Sequence, residues 1–142
     1  MTFAIPGSAY DDFMGRYSRQ LATPFADFCG IRSGMRVLDV GCGPGALTAV
    51  LVQRAGAEAV CGIDPSPSFV EACRARCPGA TIRQGPAEQL PWGDGELDAA
   101  LAQLVLPFVS DARQAAREMQ RVVHPGGTVA ASLDCRASPG HR

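Results

Sequence analysis

Two acidic residues and three closely spaced glycines are the residues of this chain whose types and spacing suggest chemistry. Gly41, Gly43 and Gly45 come at the end of an apolar run, and a helical pattern begins directly after them. Glycine permits positive φ and lets a ligand approach the backbone, while a helix start presents unpaired N–H groups to an anion. Asp64 ends the next apolar run, where an open α/β sheet places a carboxylate that accepts hydrogen bonds from both ribose hydroxyls. The pattern therefore predicts a nucleoside-binding site.

The residues around the glycines indicate which nucleoside this site would take. Asp39 places a carboxylate beside the loop, where it would repel a diphosphate, and Pro44 removes one backbone donor from the turn. A ligand with a cationic amino group and a sulfonium tolerates both residues, and its own carboxylate can use the helix start. S-adenosylmethionine has these groups and is the favoured ligand. An NAD(P)-dependent oxidoreductase is the less favoured alternative, because Gly41, Gly43 and Ala46 satisfy the loose dinucleotide pattern.

The elements that must position these residues follow from the order of apolar and amphipathic runs. From Arg36 onward, short apolar runs alternate with helical patterns, which is typical of parallel strands joined by crossover helices. We predict strands at residues 35–40, 59–63, 80–83, 97–103 and 128–133. The predicted fold is α/β, a Rossmann-like, doubly wound and mostly parallel sheet with right-handed crossovers and an N-terminal helical segment.

The starts and ends of several helices can also be predicted. Ser66 and Pro67 provide an N-cap and a first-turn proline. Ser110 is predicted to cap a second helix, which ends at the proline-glycine turn of residues 124–127. A third helix starts near Gly45 and ends before the glycine at position 56.

Length and charge set limits on organisation and partners. The 142 residues suffice for one domain, divided into a helical cover (1–34), a Rossmann-like core (35–134) and a tail without a pattern (135–142). The helical cover is predicted from apolar residues at helical spacing ahead of Pro24; they are Tyr10, Phe13, Met14, Tyr17 and Leu21. The net charge of −1 argues against binding to nucleic acid or to an anionic membrane.

The cysteines and the N-terminus indicate the cellular compartment. The six cysteines include no C-x-x-C pair, which favours small core residues in a reducing cytoplasm over disulfides. Cys73 and Cys77, four residues apart on a predicted helix, could form half of a metal site, but we predict none. The sequence shows no secretory signal, so we expect a cytoplasmic protein. All thirteen basic residues are arginine, and lysine and asparagine are missing, which suggests a GC-rich, bacterial genome.

Five segments of the chain resemble the motifs of one enzyme family, in the family's order. Residues 37–45 (VLDVGCGPG) resemble the first motif of class I S-adenosylmethionine-dependent methyltransferases, and residues 62–66 (GIDPS) resemble the acidic motif that follows. Residues 85–92 (GPAEQLPW) are similar to the loop that flanks adenine, and residues 121–127 (RVVHPGG) to the turn that enters the fifth strand. Residues 14–19 (MGRYSR) are similar to the N-terminal helix of a bacterial small-molecule group within the family.

The resemblance implies a set of cofactor-binding positions for S-adenosylmethionine. It assigns the methionine end to Asp39, Gly41, Cys42 and Gly43, the ribose to Asp64, adenine to Pro65 and Ala87, the methyl-donor pocket to Gln103, and the cofactor carboxylate to Arg19. It assigns no catalytic side chain, because in-line attack on a sulfonium methyl mainly needs alignment and a dry pocket. The acceptor that it implies is a small molecule.

Two departures from the family pattern lead to further expectations. Pro86 stands where the family often has an acidic acceptor for the adenine amine, so adenine would be held less selectively. The family sheet has seven strands, and this chain ends soon after the predicted fifth, as if truncated. The fifth strand would then be an exposed edge that could pair with a second copy of the chain. An inactive or partner-dependent S-adenosylmethionine-binding fragment is therefore the main alternative to an active methyltransferase.

Overall fold

Five parallel strands form one sheet in the computed structural model, which describes residues 19–103 and 109–132. The strand order across the sheet is β3-β2-β1-β4-β5. The strands are β1 (Val37–Val40), β2 (Val60–Asp64), β3 (Thr81–Gln84), β4 (Leu97–Gln103) and β5 (Val123–Ser132). The helices are α1, described over 19–29, α2 (Ala46–Ala55), α3 (Pro67–Arg76) and α4 (Ala112–Val122), and a single 3₁₀ turn covers Ala57–Ala59. This order confirms the predicted α/β fold.

β1 is the central strand and is buried along its whole length. Its continuous apolar run suits a strand that is covered on both faces. In register, Val40 lies opposite Ile63 of β2, and Leu38 lies opposite Ala100 of β4. Because parallel strands end at a common edge, the segments that leave β1, β2 and β4 start close together.

Helices cover both faces of the sheet, as a doubly wound fold requires. On one face, residues of α1 and α2 pack against alternate side chains of the strands. This cluster includes Ala22 and Phe25 of α1, Leu47 and Leu51 of α2, and Val37 of β1. On the other face, α4 and the loop before β4 pack against the remaining side chains. This cluster includes Leu38 and Val40 of β1, Leu90 of the loop, and Ala115 and Met119 of α4.

The helices that follow β1 and β2 start as the sequence predicts. α2 begins after Gly45, which has a φ of 102°, and ends before Gly56, whose N–H donates to the carbonyl of Val52. α3 is capped by Ser66, whose hydroxyl accepts from the N–H of Phe69 at 3.3 Å. Both starts therefore place helix N-termini at the carboxyl edge of the sheet.

Two predicted boundaries are wrong, one because of a helix cap and the other because of strand pairing. α4 is capped by Asp111 and not by Ser110, since the Asp111 carboxylate accepts from the N–H of Gln114 at 3.0 Å. β5 starts at Val123 and not at residue 128, because Val123 already pairs with Leu97 of β4. Residues 124–127 form an irregular segment before regular pairing resumes at Thr128. A Cβ at Gly127 would overlap the Val123 side chain and the Asp98 carbonyl, so this irregularity requires glycine there.

The N-terminal helix extends further than the sequence predicts. The described part of α1 runs through Pro24 to residue 29, and burial of Phe25 and Ala26 offsets the backbone donor that proline lacks. The predicted helical residues up to 18 lie outside the described residues, as does the end of the predicted fifth strand. No helix in residues 19–103 and 109–132 is long and apolar enough to cross a membrane.

Candidate functional site

The glycine loop is held against the end of β2 by its own backbone. Gly41, Gly43 and Gly45 all have positive φ, at 70°, 55° and 102°. The N–H groups of Gly41 and Cys42 both donate to the carbonyl of Ile63, at 2.8 and 3.0 Å. A Cβ at Gly45 would lie 3.1 Å from the Cys73 sulfur, so glycine also lets the loop approach α3. The loop is therefore a fixed turn with an open backbone.

Asp64 is fixed beside this turn by two backbone donors. Its carboxylate is 7% exposed; Oδ2 accepts from the N–H of Gly43 and Oδ1 from the N–H of Ser66, both at 2.9 Å. An ionised carboxylate can accept about four hydrogen bonds, so each oxygen has capacity for a further donor. The arrangement suits a ligand that offers two adjacent hydroxyl groups.

Asp39 is a buried carboxyl in a different environment. It is 1% exposed, and the hydroxyl of Thr48, itself fully buried, donates to its Oδ2 at 2.6 Å. Burial raises the pKa of Asp39 from 3.8 to about 8, although the hydrogen bond from Thr48 lowers it in part. Charge at this position is therefore costly unless a cation is close.

Three buried cysteines lie behind the loop, on the side of α3. Cys42, Cys73 and Cys77 are free thiols, and the Cys73 sulfur lies 3.6 Å from the Thr48 hydroxyl. A hydrogen bond with Cys73, together with burial, raises the pKa of Cys42 above its ordinary value. In the part of the chain that the structure describes, no group of three or more His, Cys, Asp and Glu side chains could hold a metal ion.

The predicted adenine residues lie on the β2 side of the loop. Pro65 follows β2 and is exposed, and Ala87 is buried in the segment after β3. The N–H of Gly85 donates to the carbonyl of Asp64 at 3.0 Å, which joins this segment to the end of β2. Glu88 accepts from the N–H of Asp111 at 3.1 Å and so connects the segment to α4.

The two remaining predicted residues differ in placement. Gln103 ends β4 at the same edge of the sheet as the loop and is 9% exposed. Arg19 is exposed at the first described residue of α1, and no hydrogen bond or ion pair found within the described ranges joins it to the loop. The structure thus brings the positions at the ends of β1, β2 and β4 to one edge of the sheet, and the role of Arg19 stays a prediction.

Sequence reasoning missed Thr48. It lies at the third position of α2, where a threonine usually faces solvent or supports the first helical turn. The useful signal is its short distance along the chain from Asp39, because the five-residue loop 41–45 folds the first turn of α2 back onto β1.

Comparison with known proteins gives the family of this chain. A model of the methyltransferase domain matches residues 38–131. The chain is 41% identical over 92 residues to an uncharacterized methyltransferase of Mycobacterium tuberculosis, covering 65% of this chain and 37% of that protein. It is 30% identical over 131 residues to the trans-aconitate 2-methyltransferase of Methylobacterium nodulans, covering 89% and 50%.

The fold also matches solved structures. A putative methyltransferase, solved in complex with the Trm112 methyltransferase activator of Haloferax volcanii, superimposes with a TM-score of 0.80 at 24% identity, covering 88% of this chain and 56% of that one. The chain belongs to the methyltransferase domain family, in its class I, S-adenosylmethionine-dependent branch. It spans about a third to a half of the length of the curated relatives that it matches.

Proposed function

We propose that this domain binds S-adenosylmethionine and transfers its methyl group to a small-molecule acceptor. The observation that carries the proposal is Asp64, a buried carboxylate that two backbone N–H groups hold beside an open glycine turn. Ribose hydroxyls would complete the hydrogen bonding of its two oxygens. Backbone donors fix the carboxylate before the ligand arrives, so little conformational entropy would be lost on binding.

Asp39 supports a cationic ligand over a diphosphate. A phosphate group offers this buried carboxyl, which is 1% exposed, no opposite charge, and it would repel the ionised form through a medium of low dielectric constant. An amino group would pair with it. The backbone of Gly41 to Gly43 would hold the rest of the methionine end, where no Cβ blocks a close approach.

The remaining contacts with the cofactor follow from the shared edge of the sheet. Pro65 would pack on adenine, and the Ala87 amide would donate to a ring nitrogen, since the segment of Ala87 is bonded to the end of β2. Gln103 would line the methyl-donor pocket from the end of β4. Arg19 on the covering helix would reach the cofactor carboxylate.

The chemistry asks little of the side chains beyond alignment. Bound S-adenosylmethionine supplies an activated methyl group and its own leaving group. The chain holds that methyl in line with the acceptor and excludes water, and it need not move a proton unless the acceptor carries one. A small acceptor agrees with the net charge of −1, which gives no attraction to nucleic acid.

A second candidate is a domain that binds the cofactor but needs a partner for turnover. One observation favours it: β5 is an edge strand of the sheet in the part of the chain that the structure describes. The predicted pairing of two copies through β5 is one form of this candidate and stays a prediction.

Calorimetric titration separates the ligand classes. We expect S-adenosylhomocysteine to bind the purified chain and NADH to give no heat of binding, because a diphosphate cannot pair with Asp39 and Pro44 removes one backbone donor from the turn. Transfer of a labelled methyl group to a panel of small carboxylic acids, phenols and amines then tests turnover. Tight NADH binding without S-adenosylhomocysteine binding would contradict the proposal, and cofactor binding without turnover would favour the second candidate.

A further inference from the structure

The buried pair of Asp39 and Thr48 has a consequence for how the cofactor binds. The two side chains are 1% and 0% exposed, and their oxygens lie 2.6 Å apart. Thr48 lies in the first turn of α2, so this contact joins β1 to the start of that helix. The Thr48 hydroxyl therefore fixes the position of this carboxyl.

The other titratable groups that interact electrostatically with Asp39 are one carboxyl group and several thiols. They come from β2, α3 and the glycine loop, and they are Asp64, Cys61, Cys73, Cys77 and Cys42. None of these groups in the described part of the chain is a cation. Two arginines, Arg76 and Arg36, act on the thiols, and among the described residues neither is a cause of the pKa shift at Asp39. An ionised Asp39 would therefore be a buried charge beside a second carboxyl group, which is costly.

A carboxyl in this environment is stable as the neutral acid. The Thr48 hydroxyl suits both forms, because it can donate to the ionised carboxylate or accept from the protonated acid. The raised pKa of Asp39, about 8, agrees with the geometry. An amino group that arrives with the ligand would supply the missing cation and favour ionisation.

We propose that Asp39 carries a proton while the site is empty and releases it to solvent when the cofactor's ammonium group binds, with Thr48 as the positioning residue. One O–H bond of the acid breaks, its proton leaves to buffer, and the carboxylate pairs with the ammonium. This inference rests on the proposed function. Cofactor affinity then rises with pH, by up to about tenfold per pH unit, over the range in which the empty site holds the proton and the ligand's amino group is still charged.

Calorimetry in two buffers of different ionisation enthalpy measures the released proton directly. We expect the wild type to release close to one proton per S-adenosylhomocysteine near neutral pH. Asp39→Asn should show only the proton change of the ligand itself, so the difference between the two proteins is the proton that Asp39 releases. No difference between buffers for the wild type, or equal release by Asp39→Asn, would overturn the inference.

Two variants of Thr48 distinguish positioning from support of the fold. Thr48→Ser keeps the hydroxyl, and its proton release should match the wild type at each pH. Thr48→Val lacks the hydroxyl that favours the ionised form of Asp39. Its proton release on ligand binding should therefore persist to a higher pH, and its affinity for S-adenosylhomocysteine should fall. Weaker binding by Thr48→Val with an unchanged pH profile would overturn the positioning role.

Infrared difference spectra of the wild type give a measurement that needs no variant to fold. The carbonyl band of a protonated carboxyl should be present near pH 7 without ligand and should disappear as S-adenosylhomocysteine saturates the site. A band that is absent from the start contradicts the inference alone. Failure of S-adenosylhomocysteine to bind at all contradicts the proposed function, and the inference with it.

Discussion

At the scale of residues, two buried carboxyl groups a short distance apart have opposite surroundings. Asp64 accepts hydrogen bonds from two backbone N–H groups, whereas Asp39 is bonded only through Thr48 and lies deeper. Burial raises the pKa of Asp39 and so disfavours its ionised form. The same residue type therefore serves two purposes: Asp64 offers fixed acceptors, and Asp39 offers a charge that appears when a cation binds.

The pH dependence of stability tests the state of Asp39. Its native pKa, about 8, lies above the unfolded value of 3.8, so the native state holds a proton that the unfolded state has lost. The stability from this group is fully present below about pH 4 and is lost as pH rises towards 8, by up to about 1.4 kcal/mol per pH unit. Urea unfolding of the ligand-free chain at several pH values measures the slope. Asp39→Asn should flatten it between about pH 5 and 8, and equal slopes would contradict the prediction.

At the scale of elements, the sequence predicts the parts that depend on neighbours along the chain. Four of the five strands start within two residues of their predicted positions, and the Ser66 cap is confirmed, because apolar runs and caps are local signals. The Asp111 cap, the irregular start of β5 and the contact of Thr48 with Asp39 were not predicted. The last two depend on which segments the fold brings together, which a local pattern does not contain.

The cap of α3 gives a prediction with a matched control. Ser66→Ala removes the acceptor for the Phe69 N–H and should lower the free energy of unfolding by about 1 kcal/mol. Ser68→Ala, in the same first turn, removes only a contact between two hydroxyls at 3.1 Å and should cost less. Denaturant unfolding measures both. Equal losses in the two variants would show that the cap does not stabilise α3.

The irregular segment of β5 gives a second prediction at this scale. Gly127→Ala would place a Cβ against the Val123 side chain and the Asp98 carbonyl, and such overpacking should cost about 1–3 kcal/mol or more. Gly93→Ala is the control, since its Cβ would have only ordinary contact, at 3.4 Å, with the Glu96 side chain. Thermal unfolding followed by circular dichroism compares them. An unchanged melting temperature for Gly127→Ala would contradict the described register.

At the scale of the whole molecule, the strand order brings the site together. β2, β1 and β4 are neighbours, so the segments that carry Asp64, Asp39 and Gln103 meet at one edge of the sheet, although they lie far apart in sequence. The sequence could predict this edge because parallel strands with crossover helices end on the same side. It could not predict how α1 packs on the sheet, since that depends on contacts between segments far apart in the chain.

The central claim is that Asp64 binds the ribose of the cofactor, and titration of one variant with S-adenosylhomocysteine tests it most directly. Asp64→Ala, checked for folding by circular dichroism, should bind about 100-fold or more weakly, because two hydrogen bonds to a charged group are lost. Glu71→Ala, an exposed carboxylate on α3, should bind like the wild type. A folded Asp64→Ala with wild-type affinity would contradict the account.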